Sequence, residues 1–291
     1  MRLGRTHFLS VGVMAYSIGL ALSVRLGVFS DATDAIVGLF AILLAQLMTH
    51  FVNEFYDYES DMRSRNSMFA GGSGVLVEGT LSRRLALSLS YFCLVLGFAL
   101  ASFLLLGGRA AFFLIYAVVL FLGWFYSSPP LRLVSSGLGE TTASLVVAFV
   151  SPLAAISSQP SLVPFPSLLS LIPLVVSMQA AMLGVEAPDC DSDGTTGKRT
   201  LVVRLGIRKA SSIYISLCVL AVASQATATF FGLLGLPGLL VSLATLPSAH
   251  YAYAAMRSSE RTVEERANRL GAASALTFGA FGVSTLLGLL F

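Results

Sequence analysis

Charge is what this chain has least of. Lys and Arg number 18 and Asp and Glu 15, together 11% of 291 residues, roughly half the fraction found in soluble domains. Hydrophobic residues make up 56% and mean hydropathy is +0.83, which excludes an ordinary water-soluble domain. Cysteine is scarce too: Cys93, Cys190 and Cys218 have neither disulfide nor zinc spacing. There is no low-complexity tract, no fixed-period repeat, and no set of short alternating segments of the kind a membrane β-barrel requires. The one glycine-rich stretch, "GGSGVLVEGTLS" from Gly71 to Ser82, lacks the Lys-Ser/Thr ending of a phosphate loop and is not a nucleotide site. Its glycines suit a tight turn or a lid.

What is present is a series of apolar runs, roughly 8–27, 34–53, 84–106, 110–126, 140–159, 166–187, 209–232, 235–256 and 270–291. Each is long enough, or nearly so, to cross about 30 Å of hydrocarbon as a helix. The expected fold is therefore an all-α polytopic membrane bundle of about nine helices, one integral-membrane domain over residues 1–291. No small-residue cleavage site follows the first run, so it reads as a span rather than a signal peptide. With the N-terminus in the cytoplasm, all Lys and Arg except Arg25 and Arg109 fall in cytoplasmic segments. That asymmetry sets the orientation by the positive-inside rule, with the C-terminus on the opposite side. It is explained by topology in a cell membrane, and no nucleic-acid partner is expected.

Two acidic clusters stand at the cytoplasmic ends of apolar runs. "VNEFYDYESD" follows the second run and spaces Asn53, Asp57 and Asp61 four apart; "EAPDCDSD" follows the sixth and spaces Asp189 and Asp193 likewise. Four-residue spacing places side chains on one helix face. A carboxylate near bilayer depth costs on the order of 3 kcal/mol, so it persists where something compensates it. Mg²⁺ fits, because it takes carboxylate oxygens together with substrate phosphates. Solvated loop acids are the plain alternative, and the one that suits Glu59 and Asp191. A transporter cation site is another, but it favours mid-span acids on broken helices.

Four carboxylates, two Mg²⁺ and a diphosphate of roughly three negative charges leave a deficit of about three positive charges. Lys198, Arg199, Arg63 and Arg132 are candidates to meet it, although positive-inside topology by itself explains cytoplasmic Arg. Tyr126, at the end of the fourth run before Pro129 and Pro130, can face a cavity and steady a cation, or serve as an interfacial belt residue. Gln46 and His50 lie on the second run one and two turns before the first acidic cluster, and Gln179 lies within the sixth run. Polar residues in spans face bundle interiors, where they line a site or bond between helices.

These motifs resemble the UbiA-type intramembrane prenyltransferases. The N-x-x-x-D-x-x-x-D pattern is met by Asn53, Asp57 and Asp61, and D-x-x-x-D followed by G-K-x-T-L by Asp189, Asp193, Gly197, Lys198, Thr200 and Leu201. "YSSPPLRL" and "GLGE" are similar to the family's loop after span four. Within the family, "GGSGVLVEG", "GLGE" and "GKRTLVVRLG" look most like the branch that prenylates 1,4-dihydroxy-2-naphthoate in menaquinone synthesis. The second motif departs from that branch's N-x-R-D, with Glu186 in place of Asn and Pro188 in place of Arg. The resemblance implies a nine-helix bundle and Mg²⁺-dependent transfer of a polyprenyl group from its diphosphate to an aromatic acceptor. Asp57, Asp61, Asp189 and Asp193 would hold the metal with Asn53 assisting. Lys198 and Tyr126 would join the acids in catalysis, and Arg63, Arg132, Arg199, Gln46, His50 and Gln179 would bind substrate. Other acceptors, 4-hydroxybenzoate or geranylgeranylglyceryl phosphate, and a transporter without chemistry remain alternatives.

Overall fold

A computed structural model describes residues 6–62, 73–161, 163–258 and 263–291. Among them the chain is helical, without strands. The long helices are α1 (Thr6–Arg25), α2 (Ala32–Tyr56), α3 (Arg83–Leu106), α4 (Ala110–Phe125), α5 (Gly139–Ser157), α6 (Phe165–Asp189), α7 (Ile207–Phe230), α8 (Leu236–Leu243), α9 (Leu246–Arg257) and α10 (Val263–Leu290). Each expected apolar run thus coincides with one helix, except that 235–256 divides into α8 and α9 at Ala244 and Thr245, just ahead of Pro247. By length and composition, six of the helices or helix segments described can cross a membrane, and Leu9–Arg25 and Ala110–Phe125 are shorter apolar helices.

Polarity is distributed as lipid dictates rather than water. Phe92, Val95, Leu106, Leu114, Phe121 and Leu240 are exposed on the bundle's exterior. Small polar side chains are buried between helices, among them Ser23, Ser90, Ser144, Ser177, Ser211, Ser284 and Thr285. Most return their hydroxyl to their own helix, as Ser177 Oγ does to Leu174 O at 2.9 Å and Thr285 Oγ1 to Phe281 O at 2.9 Å, so they are satisfied without a partner across the interface. Being small, they let backbones approach closely, which is the main source of packing energy where no hydrophobic force acts between helices. Gly19 shows how closely: a Cβ there would collide with Pro152 O of α5. Pro152 lacks an N–H, and the preceding segment Val146–Val150 widens into a π-helical turn.

Both basic residues that the charge pattern leaves at the far end of the bundle are fixed by protein groups. Arg109 Nε lies 2.7 Å from Asp34 Oδ2, with both side chains largely buried. Arg25 donates to Gly288 O at 3.2 Å and Leu289 O at 3.1 Å, and to Gly232 O at 3.1 Å. A cation at the last carbonyls of α10 complements that helix's dipole.

Candidate functional site

The first acidic motif is not one uninterrupted helix face. The helix α2 ends at Tyr56, Asp57 sits in a bend with φ −90° and ψ 2°, and a single turn, Tyr58–Asp61, follows. The four-residue rhythm nevertheless survives in the backbone, with Asp57 N–H donating to Asn53 O at 2.8 Å and Asp61 N–H to Asp57 O at 2.9 Å. The second motif is tightened in the same manner. A 3₁₀ turn, Ala187–Asp189, closes α6 and leads into a short helix, Cys190–Thr196. Pro188 is tolerated because it falls at the start of that tight turn, where its missing N–H costs little. The two short segments touch, which brings the motifs together at one end of the bundle.

Lys198 joins them. Gly197, at φ +81°, caps the Cys190–Thr196 helix and reverses the chain, so that Lys198 N–H returns to Asp193 O at 3.0 Å. Only glycine takes that backbone conformation without strain. Reversal delivers the ammonium to both motifs: Lys198 Nζ stands 3.3 Å from Asp57 Oδ2 and 3.8 Å from Asp193 Oδ1. Asp61 also acts on Lys198, and Asp189 on Asp193. All four acids thus belong to one electrostatic cluster. Burial lifts the Asp193 carboxyl to about 6; the Lys198 ammonium opposes that, while Asp189, Asp57 and Glu140 add to it. Burial pulls Lys198 down, but the carboxylates of Asp57, Asp193 and Asp61 outweigh it and the ammonium is held above its ordinary range.

Among the described residues, no three His, Cys, Asp or Glu side chains are already gathered tightly enough to chelate an ion. The donor set nevertheless suits Mg²⁺, a hard cation that is held by one or two carboxylates plus substrate phosphates and water rather than by an all-protein cage. Asp57 and Asp193, drawn to one ammonium, are carboxylates of that kind.

Other predicted residues fall around this centre. Gln46, His50, Asn53 and Asp57 descend one face of α2, all half-buried, and Gln179, Glu186 and Asp189 do the same on α6. Gln46 reaches towards Gly12 of α1. Asn53 Oδ1 accepts from Ser127 Oγ at 3.1 Å, which ties α2 to the segment after α4. Tyr126, at the end of α4, is half-buried, and its carbonyl accepts from Val134 N–H at 2.9 Å. Arg132 is exposed in the left-handed region, at φ +43° and ψ 55°, unusual for a residue with a side chain. Arg199 is exposed and anchored through its backbone to Ser135 O. Asp191 is exposed, in keeping with a solvated acid. Arg63 lies outside the described residues, as do Gly71 and Gly72 of the glycine-rich stretch; from Ser73 onward that stretch forms turns with Val75 and Leu76 buried.

Sequence reasoning gave no role to two residues that shape the site. Arg83 Nη2 donates to Phe55 O at 3.0 Å, and its guanidinium lies 5.0 Å from the Phe55 ring centroid and 4.7 Å from that of Tyr58. It clamps both sides of the bend at Asp57. Glu54, buried, accepts from Ser73 N–H and from Ser73 Oγ–H, both at 2.7 Å, and so anchors the glycine-rich turn to α2. An acid directly beside a motif residue and an arginine opening the next helix were the available signals, but each also fits simple positive-inside or loop placement.

A family model described as the UbiA prenyltransferase family matches residues 13–286. The chain is 23% identical to 1,4-dihydroxy-2-naphthoate octaprenyltransferase of Bacillus subtilis (strain 168) over 212 residues, 73% of this chain and 67% of that protein. In fold it is similar to a UbiA homologue from Aeropyrum pernix K1, solved in the apo form, with a TM-score of 0.71 at 19% identity over 96% of this chain and 97% of the other. It is also similar to a UbiA homologue from Archaeoglobus fulgidus bound to GPP and Mg²⁺, with a TM-score of 0.66 at 18% identity over 98% of both chains.

Proposed function

Because this chain belongs to the UbiA prenyltransferase family, we propose that it transfers a polyprenyl group from polyprenyl diphosphate to an aromatic acceptor, 1,4-dihydroxy-2-naphthoate, in menaquinone synthesis. The observation that carries the reading is the Lys198 ammonium standing between Asp57 and Asp193, acids of two motifs separated by 136 residues. The fold of the Mg²⁺- and GPP-bound homologue and the function of the Bacillus subtilis relative support it. By the positive-inside rule the site opens on the cytoplasmic face of the cell membrane.

Asp57, Asp61, Asp189 and Asp193, with Asn53 beside them, would hold Mg²⁺. When bound, the ion supplies charge that neutralises the diphosphate and stabilises it as a leaving group. The protein's own contribution is electrostatic and spatial. Lys198 presents a fixed, largely buried ammonium to the departing diphosphate. Arg132 and Arg199 stand exposed on adjoining segments, ready to pair with phosphate oxygens. The half-buried faces of α2 and α6, including Gln46, His50 and Gln179, line the path beneath. Tyr126 offers an aromatic face to the allylic cation that forms as the C–O bond breaks. Apolar walls exclude the water that would quench it.

The test is product identification. Purified protein in liposomes receives labelled prenyl diphosphate, with and without Mg²⁺, and in turn 1,4-dihydroxy-2-naphthoate, 4-hydroxybenzoate and geranylgeranylglyceryl phosphate. The expected result is Mg²⁺-dependent prenylation of the naphthoate. Prenylation of either other compound alone would reassign the acceptor, and no transfer to any of them would overturn the reading.

Arg83 provides a second check. With its guanidinium against Phe55 and Tyr58, Arg83→Ala frees the bend that aims Asp57. A small misplacement at a reacting centre costs on the order of tenfold to a hundredfold in rate. We expect at least about a tenfold fall in kcat/KM for Arg83→Ala. Arg83→Lys, which keeps the charge but loses the planar stacking, should fall in between.

A further inference from the structure

We propose that the loop 126–136, between α4 and α5, is a stiff bracket that sets the gap between the two acidic motifs, with Ser127 and Arg204 as positioning residues at its two ends. The inference rests on the prenyl-transfer reading for its catalytic consequence, but its effect on the binding of Mg²⁺ and pyrophosphate needs no transfer.

One end of the bracket holds the first motif. Ser127 is buried, and its Oγ donates to Asn53 Oδ1 at 3.1 Å. An amide oxygen has two lone pairs, so this contact orients Asn53 without using the oxygen up. Asn53 in turn carries the acid that follows it, because its carbonyl accepts from Asp57 N–H at 2.8 Å. The other end holds the chain just beyond the second motif. Arg199 N–H donates to Ser135 O at 3.1 Å, and Arg204 Nη2 to Ser136 O at 2.6 Å. Gly137 lies at this junction at φ +76°, and a Cβ there would press on the Arg204 guanidinium and on Arg199 O. Glu140, buried in the first turn of α5, adds a third tie by accepting from Leu201 N–H. Arg199 adjoins Lys198, so the ammonium springs from a backbone that the loop holds in place.

A bracket works only if it is stiff between its ends. Within the loop, Arg132 N–H donates to Ser128 O at 3.1 Å, Val134 N–H to Tyr126 O at 2.9 Å and Ser136 Oγ to Leu133 O at 2.9 Å. Pro129 and Pro130 each fix a backbone angle. Arg132 is held in the left-handed region at φ +43°, a conformation that a residue with a side chain keeps only where its surroundings impose it. The loop is also seated on the bundle. Ser128 and Val134 are buried, and a Cβ on Gly139 of α5 would collide with Val134 Cα. The loop therefore grips Asn53 on one side and Arg199 and Arg204 on the other. It fixes the separation that Lys198 spans between Asp57 and Asp193.

The experiment measures Mg²⁺-dependent binding of inorganic pyrophosphate, and prenyl transfer, in Ser127→Ala, Arg204→Ala, Asn53→Ala and their double variants. Ser127→Ala should weaken pyrophosphate binding by about threefold to tenfold, the scale of one net hydrogen bond. Its kcat/KM should fall by about tenfold through misplacement of the first motif. In the Asn53→Ala background the same change should cost less than about twofold, because the partner through which Ser127 acts is already gone. Arg204→Ala should also weaken binding, and Ser127→Ala with Arg204→Ala should be within about twofold of the worse single variant, since a bracket loose at one end no longer sets the gap. Melting temperature in EDTA is the folding control. Ser127→Thr keeps the hydroxyl and Arg204→Lys keeps a donor for Ser136 O, so these two replace the alanines if either fails to fold, and each should bind more tightly than its alanine counterpart. Single variants that bind pyrophosphate like the wild type, a full Ser127→Ala loss in the Asn53→Ala background, or losses that multiply in the Ser127–Arg204 double variant would overturn the inference. If the wild type binds Mg²⁺ and pyrophosphate but transfers no prenyl group, the functional reading falls and the binding cycles alone decide the bracket. If it binds neither, both fall.

Discussion

Replacing Asp57 with alanine should reduce prenyl transfer by at least about a hundredfold, the scale expected when an electrostatic contact to developing charge is removed. Of the two acids paired with Lys198, Asp57 is the nearer, and it comes from the opposite motif to Asp193. Losing it would remove a carboxylate of the proposed metal site and the anchor of the ammonium together. Asp57→Asn separates shape from charge, because the amide fills the same space without the negative oxygen. It should be almost as inactive as alanine yet fold normally, since the bend at Asp57 is held by backbone bonds to Asn53 and from Asp61 together with the Arg83 clamp. Labelled prenyl transfer at saturating Mg²⁺, with melting temperature as the folding control, checks both. An Asp57→Asn enzyme with most of its activity would remove the acid from the metal site.

Lys198→Ala is expected to be similarly damaging, but with a signature of its own. The ammonium is largely buried between two carboxylates. Taking away one partner of a buried ion pair costs about 3–5 kcal/mol, because the remaining charge is left uncompensated. Here the remainder is a group of acids, of which Asp193 is already lifted by burial and, to a smaller extent, by Asp189, Asp57 and Glu140. The variant should therefore melt lower than wild type in EDTA. Added Mg²⁺ should recover more of the loss than it adds to the wild type, since a bound cation replaces the missing charge and binding to the folded state raises stability. Activity should nonetheless fall by about a hundredfold, because the departing diphosphate has lost its fixed counter-charge. Lys198→Arg keeps the charge but not the compact ammonium geometry, and should retain part of both properties. Equal melting of Lys198→Ala and wild type in EDTA would show that the ammonium does not compensate the acids.

These two predictions also separate what was legible in the residues from what was not. The apolar run at 84–106 became Arg83–Leu106, and that at 110–126 became Ala110–Phe125, because a span's length and hydropathy are local properties. The run at 270–291 extends back to Val263 as helix, since intrahelical hydrogen bonding does not stop where hydropathy falls. The acids were visible by their rhythm, but the bend at Asp57 was not: nothing in "FYDYES" states that α2 ends at Tyr56. Glu140 was hidden most completely. In the sequence it is one acid closing "GLGE", and only packing shows it wholly buried and bonded to Leu201, 61 residues away.

The sequence by itself determined that this is a helical membrane protein, where its apolar helices lie, and which acids stand in four-residue rhythm at their ends, because lipid obliges each segment to satisfy its own backbone and penalises every charge without a purpose. Only the tertiary structure decided which of those charges meet. Lys198 and Asp57 are 141 residues apart, and no local rule joins them. Their contact depends on how α2 and α6 end at the same face and on a glycine that turns the chain back.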